Sequence, residues 1–122
     1  MTIETTLKET MTIEGALGAA LVDYDSGMSL GTVGGGRELD LDVAAATNTE
    51  VVRAKVRALE ALKIDDKIED ILISLSRQYH IIRLINAADG SRLFLYLALD
   101  RERSNLALAR HTLRRIESEL SV

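Results

Sequence analysis

Among 122 residues there is no cysteine, no proline and no tryptophan, and the aromatics are one phenylalanine and three tyrosines. Without cysteine there is neither a disulfide framework nor a thiolate metal site, and a reducing cytoplasm is the expected compartment. Without proline there is no proline-rich linker or ligand segment. Four aromatic residues offer little for stacking nucleic-acid bases, and a net charge of −4 lacks the basic surplus of a nucleic-acid binder. The longest wholly apolar run, Leu93 to Leu99, is far too short to span a bilayer. Glu4 and Glu9 stand where an export signal wants basic and then apolar residues. Nucleic acid and membrane insertion are therefore not expected.

What is abundant is apolar surface. Hydrophobic residues make up 47% of the chain. For a small domain, with much surface per volume, that suggests a face completed by another chain. The length is that of one domain, residues 1–122, with no repeat or linker in view. Thr2 can cap a first helix carrying Ile3, Leu7 and Met11, ended by Gly15. Ala16 to Tyr24 is apolar on both alternating faces, as in a central strand covered on both sides. The turn Asp25-Ser26-Gly27 returns the chain as Met28 to Val33, and Gly34-Gly35-Gly36 breaks that strand.

Asp40 or Asp42 can cap a long helix reaching about Lys63. Its polar face holds Asp42, Thr49, Glu50, Arg53, Arg57 and Glu60, and Leu41, Ala45, Val52, Val56 and Leu59 lie opposite. Val43, Ala54, Ala58 and Ala61 extend the apolar surface round one side. Two apolar flanks imply two packing partners: the helix's own sheet and a second helix approaching over the alanines. Three strands follow. Ile68 to Ser76 sets Ile71, Ile73 and Leu75 against Leu72, Ser74 and Ser76, the mixed polarity of a sheet edge. Ser76-Arg77 turns into Tyr79 to Asn86, and Ala88-Asp89-Gly90 turns into Leu93 to Leu99, a second central strand. A last helix carries Leu106, Ala109, Leu113, Ile116 and Leu120 on one stripe. Two central strands that are apolar on both faces demand helices above and below. The expected architecture is a three-layer α+β domain of order αββαβββα, its sheet antiparallel.

Chemistry is sparse. Asp23-x-Asp25 lacks the further ligands of a calcium loop and reads as a polar turn. The three glycines precede no phosphate-loop lysine and read as a flexible connection. His80 has no nucleophile motif beside it and reads as a sheet histidine. Asp65, Asp66, Glu69 and Asp70 read as a solvated helix-to-strand junction, and the arginines of the last helix as a face paired with Glu117 and Glu119. No cofactor and no metal are expected, and no enzyme.

Several segments, in this order, carry a family likeness: Gly15-Ala16-Leu17-Gly18-Ala19-Ala20-Leu21-Val22-Asp23, the Asp25-Ser26-Gly27 turn, Phe94 to Asp100, and Ser104-Asn105-Leu106-Ala107-Leu108-Ala109-Arg110. Together they resemble the roadblock family of dynein light chains and small-GTPase regulators, in its bacterial branch. The resemblance implies a roadblock/profilin-like fold, a five-stranded antiparallel sheet sandwiched between one long helix and two terminal helices. Gly15, Asp23, Gly27, Asn105 and Arg110 match its structural motif. Asn105 is expected to cap the last helix, with Arg110 reaching back across that turn.

In relatives the long helix and third strand build a homodimer whose sheets join edge to edge. Carried over, the interface is Val43, Ala54, Ala58, Ala61, Ile71, Ile73 and Leu75. The implied function is a cytoplasmic, non-enzymatic homodimer that scaffolds or regulates a Ras-like small GTPase in signalling. No lone arginine stands out as an inserted finger, so stimulation of GTP hydrolysis is not inferred. The alternative is a small-molecule-sensing or other signalling scaffold of the same three-layer fold, although the alanine-filled faces speak for packing over a cavity.

Overall fold

Ile3 and Leu7 sit one turn apart behind the Thr2 cap, and packing of Leu7 on the sheet holds the short first helix that they open. The Thr2 hydroxyl accepts from the Thr5 amide at 3.2 Å. A computed structural model describes residues 1–86 and 91–120. In chain order the elements are α1 (Ile3–Thr10), β1 (Ala16–Asp23), β2 (Met28–Gly34), α2 (Leu41–Ala61), β3 (Asp70–Ser74), β4 (Gln78–Asn86), β5 (Arg92–Asp100) and α3 (Leu106–Glu119). The turn expected at Ala88-Asp89-Gly90 lies outside the described residues.

All five strands form one antiparallel sheet in the order β2-β1-β5-β4-β3. The two strands read as apolar on both faces, β1 and β5, are neighbours near its centre, and β3 is an edge. Alternation along each strand divides the core in two. Ala19, Leu21, Leu93, Leu95, Leu97 and Leu99 pack against Leu7 of α1 and Ala109, Leu113 and Ile116 of α3. Ala20, Val22, Phe94, Tyr96 and Ala98 pack against Leu41, Ala45 and Val52 of α2. One long helix thus covers one face and the two terminal helices the other, the division that the resemblance implied, and the patterning had required helices on both faces.

Three local readings are corrected. The glycines at the end of β2 and beyond form no flexible connection: Gly34 (φ +73°), the last residue of β2, passes so close to β1 that a Cβ would stand 2.8 Å from the Leu17 carbonyl oxygen. The Gly35 amide donates to that same oxygen, and Gly36 pairs with Leu39. Only residues lacking a side chain fit this crossing. Thr49 is not on the polar face of α2 but buried against the sheet, its hydroxyl donating to the Ala45 carbonyl at 2.7 Å. A hydroxyl satisfied inside its own helix can be buried as an apolar group is. The regular β3 is also shorter than the expected Ile68 to Ser76, although the ladder runs on by one bond at each end: Leu84 N to Glu69 O at 3.2 Å and Leu75 N to Gln78 O at 2.8 Å.

Candidate interaction surface

The α2 helix begins at Asp40, whose carboxylate accepts from the amides of Asp42 (3.0 Å) and Val43 (3.2 Å). Leu41, Ala44, Ala45, Thr49 and Val52 turn to the sheet. On the adjoining flank Ala54 and Ala61 are exposed, Ala58 is half-buried and Val43 is 56% exposed. Val51 and Leu62, the latter 63% exposed, complete the same stripe. Advancing 100° per residue, these six positions fall within an arc of about 100°. Sequence reasoning named the alanines and Val43 but passed over Val51 and Leu62. Their positions, three before Ala54 and four after Ala58, were the available signal.

The second component is the β3 edge. Ile71 packs on the α2 side of the sheet and Asp70 points to the α3 side, so Ile71, Ile73 and Leu75 share the face that α2 covers. Ile71 and Ile73 are half-buried, and Leu75 is 42% exposed. The expected interface residues therefore lie on one helix flank and one strand edge belonging to the same side of the sheet. Leu72, on the other side, is 37% exposed.

What holds this edge strand in place differs from expectation. Asp70 leaves the acidic run: its carboxylate accepts two hydrogen bonds from Arg110, both 2.9 Å, and lies 4.0 Å from the Arg83 guanidinium. Arg83 in turn donates to Glu117 at 2.7 Å. Arg110 thus reaches the edge strand and not the turn at Asn105, and Glu117 pairs with β4 and not with Arg114. The cause is tertiary, because β3, β4 and α3 converge around residues distant in sequence. Asn105 itself caps α3, accepting from the Leu108 amide at 3.0 Å.

The remaining candidates are fixed by local bonds. Asp23 accepts from the Asp25 amide at 2.9 Å, and Gly27, at φ +81°, closes the turn onto the Asp23 carbonyl at 2.8 Å. Arg53 of α2 straps this turn by donating to the carbonyls of Tyr24 and Asp25, and Arg92 stands 3.5 Å from the Asp25 carboxylate. The Asp25 carboxylate thus faces a protein cation, and the Asp23 carboxylate caps its own turn. Gly15, at φ +87°, brings β1 against the end of β5, where a Cβ would lie 3.0 Å from that of Ser104.

His80 is held between Gln78 (2.8 Å) and the Tyr96 hydroxyl (3.2 Å). With Nε2–H donating to the Gln78 carbonyl oxygen and Nδ1 accepting from Tyr96, the neutral ring is fully satisfied. Burial lowers the His80 pKa and pushes the Tyr96 hydroxyl up to about 12. Among the described residues no group of three His, Asp or Glu side chains forms a metal cluster, and no helix is long and apolar enough to cross a membrane.

Helix flank, open edge and three-layer sheet together define a fold that solved structures share. The chain has the roadblock/LC7 fold. It superposes on the roadblock/LC7 domain from Streptomyces avermitilis with a TM-score of 0.80 at 13% identity, covering 98% of this chain and 94% of that one. Against MglB of Myxococcus xanthus the TM-score is 0.76 at 16% identity, over 96% of this chain and 80% of that chain. An MglB structure with a tetrameric arrangement gives 0.67 at 21% identity, over 95% and 88%. No protein-family model and no curated protein matches the sequence itself.

Proposed function

We propose that residues 1–122 form a single non-enzymatic, cytoplasmic signalling domain of bacterial roadblock type, a homodimer that scaffolds or regulates a Ras-like small GTPase. The observation that carries this reading is the pairing of an exposed, small-residue flank on α2 with an open edge strand on the same side of the sheet. Alanines let a second helix approach closely, and an open edge offers backbone hydrogen bonds to another strand. The tetrameric arrangement of one MglB structure supports self-association in this fold. The GTPase partner rests on the likeness to roadblock regulators.

A scaffold that reads a molecular switch must bind its two states unequally, because equal affinity shifts nothing. The test is calorimetry of the purified protein with Ras-like GTPases of its source organism, loaded with GDP or a non-hydrolysable GTP analogue. A tenfold affinity ratio between the states, about 1.4 kcal/mol, is the expected result. Absence of binding to every such GTPase would remove the GTPase reading.

A further inference from the structure

Beneath the C-terminal turns of α2 lies an open cavity of about 330 Å³. Val56 and Leu59 of α2 form one side, Ile64 and Ile68 of the segment leading into β3 the other, and Tyr24 and Leu84 the floor. Its volume is at the small end of what ligand sites occupy, and apolar walls with a few polar groups are their usual lining. Advancing 100° per residue, Val56 and Glu60 stand roughly opposite Val51 and Ala58 on the helix. A helix contact over the exposed flank therefore does not use this groove.

The lining also selects a charge. The Tyr24 ring is held by stacking on Phe94, with centroids 6.3 Å apart and planes inclined by 25°. A fixed aromatic ring attracts a cation through its negative face. Around the mouth stand Glu60, Asp65 and Asp66, all exposed, against one cation, Lys67. The Asp66 carboxylate accepts from the Lys67 amide at 2.8 Å. Those of Glu60 and Asp65 have no ion-pair or hydrogen-bond partner among the described residues. The α2 dipole adds negative potential, because its last turn holds no basic residue and Lys63, just beyond, does not line the groove.

We propose that this groove binds a small organic ammonium ion with an apolar body, such as an arylalkylamine. The body lies between Val56 and Ile68 against Tyr24, and the ammonium group sits at the mouth between Glu60 and Asp65. A carboxylate ligand would meet three acids, and a neutral one would gain nothing from the two free carboxylates. The site is independent of the homodimer and GTPase readings and survives the failure of either. Because the groove joins α2 to the segment entering β3, an occupied site ties together the two elements that present the candidate interaction surface.

Amide NMR titration of the full chain tests the site. The probe is phenethylammonium chloride, with phenethyl alcohol and phenylacetate as matched bodies lacking the positive charge. Saturable shifts at Tyr24, Leu59, Ile64 and Ile68 are expected for the ammonium ion, with about tenfold weaker binding of the alcohol and none of phenylacetate. Glu60→Gln combined with Asp65→Asn, both at exposed positions, should bring the ammonium ion down to the level of the alcohol. Tyr24→Leu keeps the floor apolar but removes the ring, and should weaken the ammonium ion more than the alcohol. Circular dichroism shows that each variant is folded, and the two exposed substitutions keep the test standing if Tyr24→Leu is not.

Equal affinities for the ammonium ion and the alcohol would overturn the cation assignment. Absence of saturable shifts at millimolar probe, or shifts confined to other parts of the chain, would overturn the site. So would the same amides moving with protein concentration alone, which would mean that a second copy fills the groove.

Discussion

Asp70 is nearly shut off from water, its side chain only 9% exposed, and two arginines converge on it. Removing one partner of a buried ion pair leaves an uncompensated charge at a cost of about 3–5 kcal/mol. Asp70→Asn strands no buried charge, because Arg83 keeps Glu117 and Arg110 is 41% exposed. It should lower the unfolding free energy by about 1–3 kcal/mol in urea titration. Arg110→Ala should cost more, about 3–5 kcal/mol, because it leaves the buried Asp70 carboxylate with only Arg83 at 4.0 Å. His80 acts through pH. Its folded pKa is lowered from 6.5 by burial, so the unfolded chain takes up the proton first as pH falls. The stability contributed by neutral His80 is present above pH 6.5 and is lost as the pH falls toward the lower folded pKa, at no more than about 1.4 kcal/mol per pH unit. Thermal melts between pH 8 and pH 5 should show His80→Gln losing less stability than the wild type. None of these roles was legible in sequence: Asp70 reads as one acid among four, and only the convergence of β3, β4 and α3 singles it out.

At the scale of elements, glycine positions separate turn geometry from close packing. Gly27 and Gly34 both have positive φ, yet a Cβ at Gly27 meets only Thr49, at 3.9 Å, whereas at Gly34 it meets backbone at 2.8 Å. Gly27→Ala should cost about 1 kcal/mol from backbone strain alone. Gly34→Ala should cost clearly more, since the neighbouring strand must move as well, and urea denaturation of the two variants compares them directly. The flank of α2 is tested by a matched pair. Ala58→Glu puts a charge into the proposed helix contact and should abolish self-association, while Arg57→Glu, exposed on the next face, should leave it unchanged. Sedimentation of both variants checks this; identical behaviour would mean that the faces of α2 are misassigned.

For the whole molecule the expected state at micromolar concentration is twice the chain mass of 13.4 kDa, measured by sedimentation equilibrium. Much of the architecture was legible beforehand. Two strands apolar on both faces had to be central, a helix stripe repeats at 3.6 residues, and short turns force antiparallel neighbours. These features depend on residues near one another in the chain, so sequence by itself determined the element order, the capping at Thr2 and Asn105, and the sheet with helices on both sides, while it left the α2 cap open between Asp40 and Asp42. Tertiary structure alone decided three others: that Thr49 is buried, that Gly34 and Gly35 cross closely against β1, and that Arg110 and Glu117 hold the edge strand and its neighbour. Each depends on groups brought together from distant segments, where burial and pairing outweigh local pattern, and no periodicity along one segment records what will pack against it.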